Sequence, residues 1–211
     1  MKKSKTAYQI FLSLITISIL FVLSSCNLIT LNKTEPEKRF FSFDKIENEK
    51  QTNKIKTLAS DLILMEFTTA AEFKTNQFIY KTKNHYIKDY YNRFFSSPEK
   101  MVQNGCLQWF ENAGVFHNIS TKSQISFSDL VLKGKILEIY CDRTDSTEPF
   151  AIIKIKFNLI EYNKKDKTIL EKDFYSKVKL SNFSAENLVA AWSRCLKNIF
   201  QNLESEMIDN L

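Results

Sequence analysis

The sequence predicts a single α+β domain in which two long helices cover a sheet of five to seven strands. Three observations lead there. Ile153, Ile155, Phe157 and Leu159 alternate with Lys154, Lys156 and Asn158, the period-two signature of a strand with one buried face. Two segments carry a helical stripe, one through Val102, Cys106, Trp109, Phe110 and Ala113, the other through Leu188, Trp192, Cys195, Leu196, Ile199 and Leu203. A content of 44% hydrophobic residues, with eighteen phenylalanines against three glycines, points to a dense core and short turns.

The N-terminus is of another kind. Lys2, Lys3 and Lys5 precede a charge-free run whose densest apolar part, residues 10–23, is shorter than the roughly 20 residues a spanning helix needs. A basic head before an apolar core of this length is the pattern of an export signal. Leu23-Ser24-Ser25-Cys26 then resembles the bacterial lipobox, with cleavage between Ser25 and Cys26. The Cys26 sulfur would carry a diacylglycerol and its amino group an acyl chain, enough hydrophobic anchorage for lasting membrane attachment. An aspartate after such a cysteine favours inner-membrane retention; Asn27 points instead to the periplasmic face of the outer membrane.

Removal of residues 1–25 leaves 186 residues, enough for one core, and lowers the formal charge from +6 to +3. So mild a charge, in an exported chain, argues against a nucleic-acid partner. Residues 26–38, with the lipidated cysteine and Pro36, read as a tether, and residues 39–211 as the domain. Within the domain, RFFSFD (39–44) reads as a short strand, DKIENEKQTNK as a loop, and residues 56–70 as one buried strand. Strands follow at Gln77–Lys81 and around His85–Tyr90. Ser97 as N-cap, Pro98 at the first helical position, Glu99 in the first turn and Gly114 beyond the end delimit a helix over Pro98–Ala113. Residues 129–140, 149–162 and 168–180 read as strands, the last two joined by NKKDK as an antiparallel hairpin, and Ser184 caps the final helix.

No constellation in the chain carries catalysis. His85 and His117 have no partner at ligand spacing, so no metal is expected; there is no GxSxG, P-loop or GxGxxG. Asp142 and Asp145 read as loop carboxylates. Cys106, Cys141 and Cys195 are odd in number and form no CxxC; they read as small core residues, with no disulfide pair singled out. The chain is therefore expected to be non-enzymatic, with no cofactor beyond the covalent lipid on Cys26. The stretch HYIKDYYNRFF allows two readings, as sheet core or as a partner surface in which Tyr90, Tyr91, Arg93 and Phe94 make the contact.

The order of motifs resembles the ABC-type transport auxiliary lipoproteins, the PqiC-like group. After the lipid cysteine come an aromatic strand (RFFSFD), Tyr90 or Tyr91, Arg93-Phe94, Pro98 opening a helix, Met101, Leu107 and Gly114-Val115-Phe116. A strand opened by Asp129-Leu130, two more strands and a C-terminal helix bearing Ala190-Ala191 complete the order, with Phe94 where that group carries tryptophan. The resemblance implies a three-layer sandwich like the N-terminal domain of TolB, with a mixed, largely antiparallel sheet flanked by the helices. It also implies an accessory role in intermembrane phospholipid transport, beside an MCE-domain protein and its ABC transporter, with homo-oligomerisation open. The alternative is a periplasmic adaptor that regulates a cell-wall synthase or a Tol-like complex.

Overall fold

The computed structural model describes residues 36–44, 46, 58–121, 130–162 and 167–211. The export signal, Ser25, Cys26 and most of the expected tether, loop and NKKDK turn lie outside the described residues. Residues Glu37–Leu211 form the compact unit described below.

Nine strands are present among the described residues: β1 (Arg39–Phe41), β2 (Leu58–Leu64), β3 (Thr68–Thr69), β4 (Gln77–Lys81), β5 (Tyr86–Phe94), β6 (Phe116–Ser120), β7 (Leu130–Asp142), β8 (Phe150–Glu161) and β9 (Lys167–Lys179). Helix α1 spans Pro98–Ala113 and α2 spans Ala185–Asn210, and a 3-10 turn occupies Ala71–Phe73. The segment expected to be one strand over residues 56–70 is broken into β2 and β3, and β6 is additional.

The thirteen-residue β7 organises the sheet. One side pairs antiparallel with β8 along its whole length, and β8 pairs antiparallel with β9. The other side takes three short parallel partners in turn: Leu62–Leu64 of β2 against Leu130–Leu132, β3 against Lys135–Ile136, and Tyr80–Lys81 of β4 against Cys141–Asp142. Beyond β2 lies β6, parallel; beyond β4 lie β5, antiparallel, and then β1, parallel to β5. The sheet is thus mixed, with its longest pairings antiparallel.

Both helices start after the serines expected to precede them, and α1 stops at Gly114. Ser97 occupies the N-cap of α1 in extended conformation, and Gly114 ends it with φ 64°, a left-handed value that glycine takes without a Cβ clash. Ser184 Oγ accepts from the Asn187 N–H at 3.2 Å to open α2. The stripes foreseen on both helices are buried, save Ala113, which is half-buried against the core. The helices touch each other: Trp109 lies 6.2 Å from Phe200, centroid to centroid, and a Cβ on Gly105 would stand 3.5 Å from the Phe200 ring.

Helix α2 meets the sheet through Trp192, whose indole donates to Tyr140 O (3.3 Å), and through Asn198, which donates to Ser176 Oγ (3.3 Å). The α+β class, the mixed sheet and the two long helices are as expected. The layering is helices over sheet, because both helices share the face that buries Ile153, Ile155, Phe157 and Leu159. The opposite face carries Lys154, Lys156 and Asn158; there the 3-10 turn brings Phe73 against Tyr140 (5.9 Å, stacked). No helix among the described residues is long and apolar enough to cross a membrane.

The three cysteines are free and buried in the core. Burial pushes the Cys195 thiol up to about 11 and the Cys141 thiol up to about 12, so both are protonated at neutral pH and pack as small apolar groups.

Candidate functional site

Among the described residues, a group of exposed large apolar side chains lies where β5 meets the short edge strand β1, and a single carboxylate shapes it. Asp89 sits inside β5, yet its Oδ1 accepts the backbone N–H groups of Tyr91 (2.8 Å) and Asn92 (3.0 Å). Its Oδ2 accepts from Asn92 Nδ2 (2.6 Å) and the Tyr80 hydroxyl (3.0 Å). An aspartate that bonds the backbone two residues on makes a turn rather than a strand. Accordingly β4 and β5 are in register at Ile79↔Lys88 and again at Gln77↔Arg93, leaving Asp89–Asn92 bulged opposite Phe78.

Partial burial works to raise the Asp89 carboxyl. The bonds from Asn92, Tyr91 and Tyr80 outweigh it and hold the group below the usual carboxylate range. Burial, and then the nearby Asp89 charge, push the Tyr80 phenol up, so Tyr80 remains a donor.

The bulge has a direct consequence for presentation. Neighbours on a regular strand point to opposite faces, but Tyr90 and Tyr91 are both exposed, at 56% and 40%, with their rings edge to face at 5.2 Å. Two cations bracket Tyr90: Lys38 Nζ lies 4.6 Å and the Arg93 guanidinium 5.5 Å from its ring centroid. Arg93 Nε also donates to Tyr90 O at 3.2 Å. Cation–π contacts at exposed sites are worth about 0.5–1 kcal/mol each, enough to bias the ring position.

β1 continues the surface. Arg39 pairs with Asn92 across the strands, its Nε donating to Asn92 Oδ1 at 3.0 Å, and ties the edge to α2 through an ion pair with Glu186 (2.8 Å). Phe41 and Phe43 pack inward against Phe78 and Phe94, while Phe40 and Phe95 stay exposed at 58% and 77%.

Of the contact residues expected from the sequence, Tyr90, Tyr91 and Arg93 therefore share one exposed edge. Phe94 does not. It is 2% exposed and packs against Phe43, Phe78 and Trp192, because strand alternation resumes after the bulge with Phe94 facing the core. Residue Cys26 lies outside the described residues. Phe40, Phe95, Lys38 and the shaping role of Asp89 were not anticipated; the available signal was an aspartate followed by Tyr-Tyr-Asn inside a strand.

The histidines and loop aspartates singled out in the sequence have local contacts of their own. His117 Nδ1 is 3.0 Å from Asp61 Oδ1, joining β6 to β2, and His85 is exposed beside the Thr82 hydroxyl. Asp142 accepts from Thr144 N–H (3.0 Å) and Asp145 from Thr147 N–H (2.8 Å), each closing its own turn rather than forming a carboxylate pair. No group of three or more His, Cys, Asp or Glu side chains among the described residues could hold a metal ion.

No protein-family model matches the chain, and no curated protein matches it in sequence. Its fold does have solved counterparts. A Xanthomonas campestris protein of the family model DUF330 superposes with a TM-score of 0.70 at 12% identity, over 82% of this chain and 96% of that chain. A hypothetical protein from Chlamydia trachomatis superposes with a TM-score of 0.52 at 8% identity, over 72% of this chain and 98% of that chain. At these identities the likeness is one of fold, and this chain has the fold of the Xanthomonas campestris protein.

Proposed function

We propose that this chain is a non-enzymatic lipoprotein accessory of an ABC/MCE-type intermembrane phospholipid transport system. Lipid on Cys26 holds it to the periplasmic face of the outer membrane, and the β1–β5 edge receives the MCE-domain protein. The observation that carries the reading is the aromatic–cationic edge formed by Phe40, Tyr90, Tyr91 and Phe95 with Lys38 and Arg93. Tyrosine and arginine concentrate binding energy at interfaces, and a patch rimmed by cations is the kind of surface a partner covers. β1 begins only thirteen residues after Cys26 in the chain, so an anchor and a docking edge follow one another directly.

The test is a photo-crosslinking amino acid at position 90 or 91 of the full chain in its native envelope, with captured proteins identified by mass spectrometry. Recovery of an MCE-domain protein with its ABC transporter, reduced by Arg93→Ser, is the expected result. Recovery of a cell-wall synthase or Tol components without any MCE-domain protein overturns it in favour of an adaptor role.

A further inference from the structure

At the margin of the sheet opposite β1, β9 runs for thirteen residues and pairs with β8 alone among the described residues. Leu180 N–H donates to Pro149 O (3.0 Å), its opposite in the β8–β9 register, and this sets the phase of the ladder. Lys172, Phe174, Ser176 and Val178 therefore turn their main-chain groups toward β8. Glu171, Asp173, Tyr175, Lys177 and Lys179 turn theirs outward, where no main-chain partner stands among the described residues. Helix α2 does not close this margin. Its side chains reach Tyr140 O on β7, Ala151 O on β8 and Ser176 Oγ on β9, over the strands rather than beyond them.

An open edge of this length is a template for another strand unless its charges forbid one. Here the side chains of the outward row are sorted by sign: Glu171 and Asp173 first, Tyr175 at the centre, Lys177 and Lys179 last. Turned about Tyr175 onto its own copy, the row sets Asp173 against Lys177, Glu171 against Lys179 and Tyr175 against Tyr175. Opposite charges and aromatic pairs are the cross-strand combinations that stabilise a sheet. Neighbouring antiparallel registers lose this match. Centring on Asp173 opposes two aspartates, and centring on Phe174 sets Asp173 against Tyr175 and Lys179 against Ile169. On the helix side the same register places Phe174 against Ser176 and Lys172 against Val178, with no like charges opposed. Lys156 and Lys154 already hold Glu171 (3.0 Å) and Asp173 (2.9 Å) from β8, and each carboxylate keeps acceptor capacity for a second ammonium.

We infer that β9 pairs antiparallel with β9 of a second copy of this chain, about a twofold axis at Tyr175, joining two sheets into one. The contact is isologous, so it closes at two copies. It lies at the margin opposite the β1–β5 edge, so either surface can fail in experiment without the other.

The experiment is sedimentation velocity of the full chain in detergent, with micelles in large excess over protein. A species of two chains is expected. Lys177→Glu/Lys179→Glu makes the row wholly acidic, and Glu171→Lys/Asp173→Lys makes it wholly basic. Each should weaken self-association by about tenfold or more, and the two mixed in equal amounts should restore the two-chain species. Lys88→Glu, on β5, should leave association unchanged. A short bis-maleimide should couple Tyr175→Cys chains to one another, because the native thiols Cys106, Cys141 and Cys195 are buried. A monomer at every concentration, a dimer or larger ring indifferent to both charge reversals, no recovery on mixing, or no coupling at position 175 overturns the inference.

Discussion

Trp109 Nε1–H of α1 donates to the buried Glu204 Oε2 of α2 at 2.7 Å, a buried polar contact between the two helices. Removing the acceptor strands a buried donor, which costs about 1–3 kcal/mol. Glu204→Ala should therefore lower the unfolding free energy in urea by about that amount. Glu204→Gln keeps an acceptor and should lose well under half as much.

Asp89 governs the shape of the β1–β5 edge. Asp89→Ala should cost about 1 kcal/mol, as loss of a capping side chain does, and should deprotect the Tyr91 and Asn92 amides in hydrogen exchange. The folded carboxyl lies below its ordinary value, so its ionisation stabilises the fold above the ordinary carboxylate range. That contribution falls away as pH drops through the lowered value. The stability difference between wild type and Asp89→Ala should accordingly shrink in acid; a difference that grows there would contradict the assignment.

Phe94 and Phe95 are adjacent in sequence and opposite in role. Phe94→Ala opens a cavity beside Trp192 and should cost about 3–5 kcal/mol. Phe95→Ala, on the exposed surface, should change stability by less than about 0.5 kcal/mol. Urea unfolding of both variants decides it.

Gly134 leaves room for Phe67. A Cβ at that position would stand 2.8 Å from the Phe67 ring, so Gly134→Ala should destabilise by about 1–3 kcal/mol. Combining it with Phe67→Leu should lose less than the sum of the single changes, because the clash is shared.

Cys106, Cys141 and Cys195 are buried and free. A maleimide should leave these three thiols unmodified in the native protein and label them all in urea, which mass spectrometry reads directly. Rapid native labelling of any of them would contradict the packing.

The helices were legible because their ends are written locally, in Ser97-Pro98 and in Gly114, and their stripes need no knowledge of the partner. β8 was legible because one face is apolar and the other lysine-rich. What escaped depends on contacts distant in sequence. That both helices share one face rests on meetings such as Trp109 with Glu204, ninety-five residues apart. β3, two residues long, is defined by its pairing with β7. The edge patch was half legible. Tyrosine suits a core and a surface alike, and period-two counting cannot pass through the bulge at Asp89, so the sequence alone leaves Phe94 open to both the core and the surface reading.

The central position of β7 bears on how the chain acquires its structure. β2, β3 and β4 all precede it, and the parallel pairing that joins each to the rest of the sheet forms only there. Until residues 130–142 arrive, the first half of the chain can assemble no more than two fragments, β2 with β6 and β4 with β5 and β1. Sheets closed by such distant pairings fold slowly, in roughly milliseconds to seconds, because loop-closure entropy must be overcome before any contact rewards it. A chain truncated before β7 would hold open strand edges and no spine to join them, a substrate for aggregation or proteolysis rather than a smaller domain.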